Sequence, residues 1–152
     1  MKSCFFIGHR EVPENLAPLL AEAIERHISE LGVAEFVVGG YGAFDRMAAR
    51  QLAAAKERYP EVNIMLLTPY HPSERKIHLP KGVDLSYYPP GMENVPKRLA
   101  IVRANRYMIE HSDYLIAYVW QTASNARELL EYAQKLERKG RIHTENLANK
   151  IK

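Results

Sequence analysis

Cysteine and long apolar runs are scarce in this sequence, and their scarcity excludes several classes of protein. The single cysteine of the 152 residues, Cys4, leaves no disulfide framework and no cysteine-based metal site. The longest apolar stretches, such as residues 114–120, are far shorter than the roughly 18 residues of a membrane-spanning helix. The N-terminus lacks the basic start and cleavage site of a signal peptide. We therefore expect a cytoplasmic protein without membrane contact, in which Cys4 is a small core residue of the first strand.

Positive charge is in small excess, since 21 Lys and Arg against 18 Asp and Glu give a formal net charge of +3. This balance permits a small anionic ligand, but it does not by itself indicate a nucleic-acid surface, and nucleic acid is not expected as a partner. Histidines and acids do not stand at the spacing of metal ligands, so no metal is predicted. The dinucleotide motif G-x-G-x-x-G is missing, which disfavours NAD, and no cofactor is expected.

The apolar pattern alternates between buried strands and amphipathic helices. Strands are predicted within residues 3–9, 35–40, 62–70, 83–90, 114–120 and 141–147, and helices within 12–32, 43–59, 94–113 and 124–140. The polar, proline-punctuated residues 71–82 predict a long loop after the third strand. This order predicts an α/β fold, a three-layer Rossmann-like domain with a mostly parallel sheet of about five to six strands. The domain is predicted over residues 1–144, followed by a polar C-terminal tail over 145–152.

Ligands of such folds bind beyond the carboxyl ends of the strands, at the point where the strand order reverses. The residues that follow the predicted strands are mostly glycine, polar or aromatic, and they are suited to a nucleotide-sized anion. The predicted ligand-binding residues are Gly8, His9, Arg10, Gly39, Gly40, Tyr41, Gly42, Asp45, Thr68, Tyr70, Arg75, Trp120, Thr122, Ser124 and Asn125.

The stretch GGYGAFD, residues 39–45, leaves two interpretations open. Its glycines either bring backbone N–H groups to a phosphate or serve only a tight strand-to-helix turn. Asp45 lies in the first helical turn, where an acid opposes the helix dipole. A functional Asp45 would hold a sugar hydroxyl or orient the N–H groups of the loop, and it is the leading candidate catalytic residue, ahead of Glu128.

Structural roles compete with functional ones at three other places. His9 is interpreted more readily as a solvated histidine at a strand end than as a general base. Arg10 either pairs with its neighbour Glu11 or faces an anion. Residues 124–128, SNARE, resemble a capping box with Asn125 as the cap and Glu128 three residues later.

Several motifs in order resemble one family of bacterial proteins. GGYGAFDRMAARQLA resembles the Gly-Gly-x-x-Gly-Ile-Asp-x-x-Ala signature of the Rossmann domain of DNA-processing protein A, and ANRYMIEHSD places Asn105, Arg106 and Ser112 on that family's positions. The N-terminal Gly8, His9 and Arg10 are similar to the Gly-His-Arg motif of small YspA/YpsA-like proteins of the SLOG (Smf/DprA and LOG) superfamily. The resemblance covers nearly the whole chain. It implies a Rossmann-like pocket for nucleotides or nucleotide-derived ligands, and a homodimer.

Three functions follow from these observations. The first is a nucleotide-binding sensor or regulator in the cytoplasm. The second is a nucleotide N-glycosidase, similar to a LOG-type phosphoribohydrolase or a deoxyribosyltransferase, in which Asp45 would stabilise the sugar cation. The third is binding of single-stranded DNA, for which the cluster Lys97, Arg98, Arg103 and Arg106 is the local basic surface. Whether the protein is an enzyme is left open by the sequence.

Overall fold

The computed structural model describes residues 1–151 and contains six strands and four α-helices. The strands are β1 (Lys2–Gly8), β2 (Val33–Val38), β3 (Asn63–Leu67), β4 (Leu85–Tyr87), β5 (Tyr114–Tyr118) and β6 (His143–Asn146). The helices are α1 (Leu16–Ser29), α2 (Ala43–Arg58), α3 (Ala100–Glu110) and α4 (Asn125–Glu137). None of these helices has both the length and the apolar character needed to cross a membrane.

All six strands form one parallel sheet in the order β4-β3-β2-β1-β5-β6. The chain moves outward from β1 to β4 on one side and then returns through α3 to β5, on the other side of β1. The strand order therefore reverses between β1 and β5, which is where a doubly wound sheet opens a crevice at its carboxyl edge. The predicted Rossmann-like α/β fold is confirmed.

The sheet is buried on both faces, which explains the nearly continuous apolar runs of its strands. Along β1, Cys4 and Phe6 pack into the layer under α1 and α2, while Phe5 and Ile7 pack into the layer under α3 and α4. Each of these four side chains is at most 4% exposed. Because both layers meet at β1, this strand is buried on both faces near the centre of the sheet.

The crossover from β3 to β4 is a long loop over residues 68–84, as its prolines and polar residues predict. It contains turns and no α-helix, so the face of α2 beside it is not covered by a neighbouring helix. The loop contacts α2 at Gly82, where an added Cβ would lie 2.6 Å from the Cβ of Ala53. The absent helix leaves an open groove between α2 and this loop.

The C-terminal residues are more ordered than the sequence indicated. Glu145 and Asn146 complete β6, beside β5, and Leu147 is fully buried in the core. Glu145 also accepts two hydrogen bonds from the guanidinium of Arg26, at 3.0 and 2.7 Å, which lowers the pKa of this carboxyl to about 2. Residues 145–147 therefore belong to the sheet and the core, because Glu145 and Asn146 bond to partners on α1 and after β5.

Candidate functional site

A cavity of about 410 Å³ lies at the carboxyl edge of the sheet where the strand order reverses. It is bounded by the ends of β1 and β2 and by the first turns of α2, α3 and α4. Nine of the predicted ligand-binding residues line it, namely Gly8, His9, Arg10, Gly39, Gly40, Tyr41, Asp45, Ser124 and Asn125. The structure therefore brings residues from three separate segments of the chain into one site.

Six predicted residues do not line this cavity: Gly42, Thr68, Tyr70, Arg75, Trp120 and Thr122. Thr68 donates its hydroxyl to the backbone oxygen of Tyr87, at 3.1 Å, and so joins β3 to β4. The guanidinium carbon of Arg75 lies 4.2 Å from the centre of the Tyr70 ring, a cation–π pair outside the cavity. Trp120 is 59% exposed, and its indole meets the His9 ring edge-on at 5.7 Å.

Helix α3 contributes residues that the strand-end argument missed. Ile101, Ala104 and Asn105 line the cavity, because α3 begins at the carboxyl edge of the sheet and runs away from it. The family motif pointed to Asn105 together with Arg106 and Ser112, but the other two have different surroundings. Arg106 stacks on the ring of Tyr132 at 4.9 Å. The buried Ser112 donates its hydroxyl to the backbone oxygen of Met108 at 2.5 Å.

Three N–H groups in and just after the glycine turn before α2 donate to other protein atoms. The N–H of Ala43 donates to the backbone oxygen of Arg10 at 2.8 Å, and that of Phe44 donates to the backbone oxygen of His9 at 3.4 Å. The N–H of Tyr41 donates to Oδ2 of Asp45 at 2.9 Å. These three donors are therefore not available to a phosphate, although the initial N–H groups of a helix are usual anion ligands.

Close packing explains three of the glycines around this turn. An added Cβ would lie 2.3 Å from the ring of Phe44 at Gly8 and 2.7 Å from the carboxylate of Asp45 at Gly39. Gly42 has φ of 107° and ψ of 173°, a conformation essentially limited to glycine, and its Cβ would lie 2.9 Å from Cα of Arg10. Gly40 differs, because its φ is not positive and its Cβ would meet only Leu66, at 3.6 Å.

Asp45 is partly buried at the base of the turn and lines the cavity. Removal from water raises the pKa of its carboxyl to about 7, although the hydrogen bond from Tyr41 and the charge of Arg46 act in the opposite direction. The carboxyl therefore exchanges its proton near neutral pH. It can donate to or accept from a bound hydroxyl group, and one of its oxygens is already held by the loop.

His9 is a buried connection between two segments rather than a solvated residue. It is 7% exposed, and its Nε2 accepts hydrogen bonds from the N–H groups of Trp120 and Gln121, at 3.0 and 3.3 Å. Burial, together with the positive charge of Arg127, lowers the pKa of the imidazole. A neutral ring protonated on Nδ1 fits this arrangement, which fixes the loop after β5 against the end of β1.

The turn before α4 is capped by a side chain. Ser124, and not Asn125 as the sequence suggested, is the N-cap: its hydroxyl accepts from the N–H of Arg127 at 3.0 Å. Ser and Asn are equally common caps, so their order in the sequence could not distinguish them. As the first residue of α4, Asn125 lines the cavity, and the N–H groups of Asn125 and Ala126 have no protein partner within residues 1–151. This turn therefore leaves two helix-terminal donors open.

Arg10 supplies a positive charge at the edge of the same cavity. Its side chain is exposed, and it forms no ion pair with Glu11 or another acid in the part of the chain that the structure describes. Across residues 1–151, His, Cys, Asp and Glu side chains do not form a group of three that could hold a metal ion. The cavity therefore combines an unpaired cation with amide, hydroxyl and carboxyl groups.

The fold is similar to that of DNA processing protein A from Helicobacter pylori, a solved structure described for its mode of single-stranded DNA binding. The TM-score is 0.52 and the identity 17%, and the match covers 94% of this chain and 74% of that chain. This similarity supports a DNA-processing-protein-like Rossmann fold for the chain. Protein-family models and curated proteins gave no match.

The structural match contradicts the expectation that nucleic acid is not a partner. That expectation depended on the small net charge of +3, and net charge does not report how cations and acids are distributed over a surface. The matched protein binds single-stranded DNA. The expectation was therefore wrong.

Proposed function

We propose that this protein binds nucleotides in the cavity between β1 and β5. The observation that carries the proposal is the meeting of Arg10 with the open N–H groups of Asn125 and Ala126 in one cavity of about 410 Å³. A helix N-terminus and an arginine are together suited to a phosphate group. The volume is within the range of small-molecule sites.

The remaining side chains give this cavity the other features that a nucleotide requires. Asn105 and Asn125 offer amide donors and acceptors, and Ile101 and the partly exposed ring of Tyr41 offer apolar surface for a base. Asp45, whose pKa is near neutrality, is suited to a sugar hydroxyl. In this proposal the phosphate lies at the start of α4, and the glycine turn forms the opposite wall.

We further propose that the chain is a YspA/YpsA-like member of the SLOG superfamily and acts as a cytoplasmic sensor or regulator, as a homodimer. The fold match and the Gly8-His9-Arg10 motif support this assignment. The alternative of N-glycosidase activity depends on Asp45, whose carboxyl faces the cavity. Release of free base from purine monophosphates, lost in Asp45→Asn, would support the enzyme. No turnover across a panel of nucleotides would contradict it.

Single-stranded DNA is a second candidate ligand, and the fold match favours it. Tyr41 and Trp120 are exposed near the cavity, where aromatic rings could stack on bases. Arg98 and Arg103 are exposed and lie just before and within α3, the helix that contributes Ile101 to the cavity. If DNA binds through this surface, its affinity should fall steeply as the salt concentration rises. Affinity that does not change between low and moderate salt would contradict this candidate.

Calorimetric titration with 5′-mononucleotides and the matching nucleosides tests the nucleotide proposal. We expect mononucleotides to bind at least about tenfold more tightly than nucleosides, because a charge-assisted hydrogen bond to phosphate contributes about 1.5–3 kcal/mol. Arg10→Ala should remove most of this difference. Arg138→Ala removes an exposed arginine that lines neither this cavity nor the groove beside α2, and should leave it unchanged. Equal affinity for nucleoside and nucleotide, or no binding of either, would contradict the proposal.

A further inference from the structure

A second cavity, here called the α2 groove, lies between α2 and the loop after β3. It has a volume of about 620 Å³ and exists because the β3–β4 crossover lacks a covering helix. Its floor is apolar and is formed by Ala49, Ala53, Ala54, Leu66 and Pro80. The contact between Gly82 and Ala53 holds the loop against α2 beside this floor.

Three cationic side chains line the α2 groove, namely Arg46, Arg50 and Lys81, together with His78 and the acids Asp45 and Glu57. Within residues 1–151 none of them forms an ion pair. Other cations of α2 differ in this respect, since Lys56 pairs with Asp84 at 3.0 Å and Arg58 with Glu25 at 2.9 Å. The helix thus neutralises its cations outside the groove and leaves those along the groove unpaired. An apolar floor beside unpaired cations is complementary to a ligand that is flat and apolar in one part and anionic in another.

The α2 groove and the cavity between β1 and β5 share one wall. Gly39, Gly40 and Asp45 line both of them. Two consecutive glycines place no side chain on this wall. Neither the backbone conformation nor the packing of Gly40 requires a glycine, so the fold does not explain why residue 40 lacks a side chain. At residue 40 the shared wall therefore consists of backbone alone.

We propose that the α2 groove is a second nucleotide subsite, which receives the next phosphodiester-linked nucleotide of a ligand held in the first cavity. The proposal rests on the proposed function and specifies its ligand class as a dinucleotide or a short single strand. The sugar–phosphate backbone passes Gly40, the linking phosphate lies on the groove side beside Arg46 and Arg50, and the second base lies on the apolar floor. Lys81 lies on the opposite wall, on the loop.

Titration with 5′-AMP and with the dinucleotide 5′-pApA tests this subsite. We expect wild type to bind 5′-pApA about tenfold more tightly than 5′-AMP, since the second unit adds a phosphate and a base. The double variant Arg50→Ala, Lys81→Ala should lose this gain and keep its affinity for 5′-AMP. Arg138→Ala is the matched control and should keep both affinities.

The outcomes separate this proposal from the one on which it rests. Equal affinities of wild type for 5′-AMP and 5′-pApA, or a gain that survives in the double variant, would overturn the subsite while the nucleotide site stands. No binding of 5′-AMP or 5′-pApA would overturn both. Oligodeoxythymidines of two, four and twelve residues distinguish the sources of the ligand: a gain complete at two units supports a free dinucleotide, and a gain that continues with length supports a single strand.

Discussion

The turns before α2 and α4 lie at the same edge of the sheet, yet the first two N–H groups of the two helices differ in their partners. Before α2, glycines let the chain fold so closely that carbonyl oxygens of His9 and Arg10 take the N–H groups of Phe44 and Ala43. Before α4, the side chain of Ser124 caps one N–H, and those of Asn125 and Ala126 stay open. A glycine-rich turn is therefore not sufficient to indicate a phosphate site, because its donors serve the protein where a neighbouring loop presents carbonyl oxygens.

Asp45 also contributes a hydrogen bond that holds the glycine turn. The carboxylate of Asp45 takes the N–H of Tyr41, at 2.9 Å, and it approaches the position where a Cβ on residue 39 would lie. This acid would repel a phosphate above it if the turn bound one. At the start of α4, the acid of the first turn is Glu128, and it does not line the cavity.

Gly42→Ala should have the largest effect on stability, because it disrupts the close turn before α2. The alanine would occupy a conformation essentially limited to glycine, and its Cβ would lie 2.9 Å from the backbone of Arg10. We expect a loss of at least about 3 kcal/mol in the free energy of unfolding, measured by chemical denaturation. Gly140→Ala is the control, because Gly140 has φ of 74° but open space at the Cβ, and a loss of only about 1 kcal/mol is expected. Equal losses in the two variants would show that the contact with Arg10 is unimportant.

Asp45→Asn should produce the next largest effect, and it should depend on pH. Burial raises the pKa of the native carboxyl from 3.8 to about 7. Folding favours the neutral form of this acid. Its contribution to the free energy of unfolding is therefore fully present below about pH 4 and is lost as the pH rises through 7. Asparagine keeps an oxygen for the N–H of Tyr41 and does not ionise. Relative to the variant, the free energy of unfolding of wild type, measured by chemical denaturation, should fall by about 2 to 3 kcal/mol between pH 5 and pH 8. A difference that does not change over this range would show that Asp45 is ionised throughout.

Ser124→Ala tests the turn before α4. Loss of the cap to Arg127 should lower the free energy of unfolding by about 1 kcal/mol. It should also weaken mononucleotide binding several-fold, because the open N–H groups belong to the turn that the cap orders. Ser124→Thr should restore both quantities. Ser29→Ala removes an exposed hydroxyl bonded within α1, and should change neither by more than about 0.5 kcal/mol. Unchanged binding in Ser124→Ala would place the phosphate elsewhere.

The sequence was sufficient to predict the parallel sheet and the location of the cavity between β1 and β5. Apolar spacing separates strands from helices, and the rule for doubly wound sheets then places a ligand at the carboxyl edge. Asn105 was not reached by this argument, because it lies on a helix and not after a strand. Its position near β1 depends on the return of the chain across β1 after β4, which the strand order reveals.

Local hydrogen bonding was harder to predict than topology. Whether Ser124 or Asn125 caps α4 depends on one pair of backbone angles. Whether His9 is solvated depends on where the loop after β5 turns. The α2 groove was not found either, because the long loop after β3 was predicted but its packing against α2, through Gly82 and Ala53, was not.

Gly40→Ala should have the smallest effect on stability, and this makes residue 40 the most informative position in the glycine turn. Its added Cβ would meet only Cδ1 of Leu66, at an ordinary 3.6 Å, so the free energy of unfolding should change by less than about 0.5 kcal/mol. Because the fold tolerates alanine there, a series Gly40→Ala, Gly40→Val and Gly40→Leu can raise the wall between the two cavities stepwise. Dinucleotide affinity should fall with each step, and earlier than mononucleotide affinity. If Gly40→Ala instead lowered the free energy of unfolding as much as Gly42→Ala, the conformation of the turn would require glycine at residue 40 as it does at residue 42.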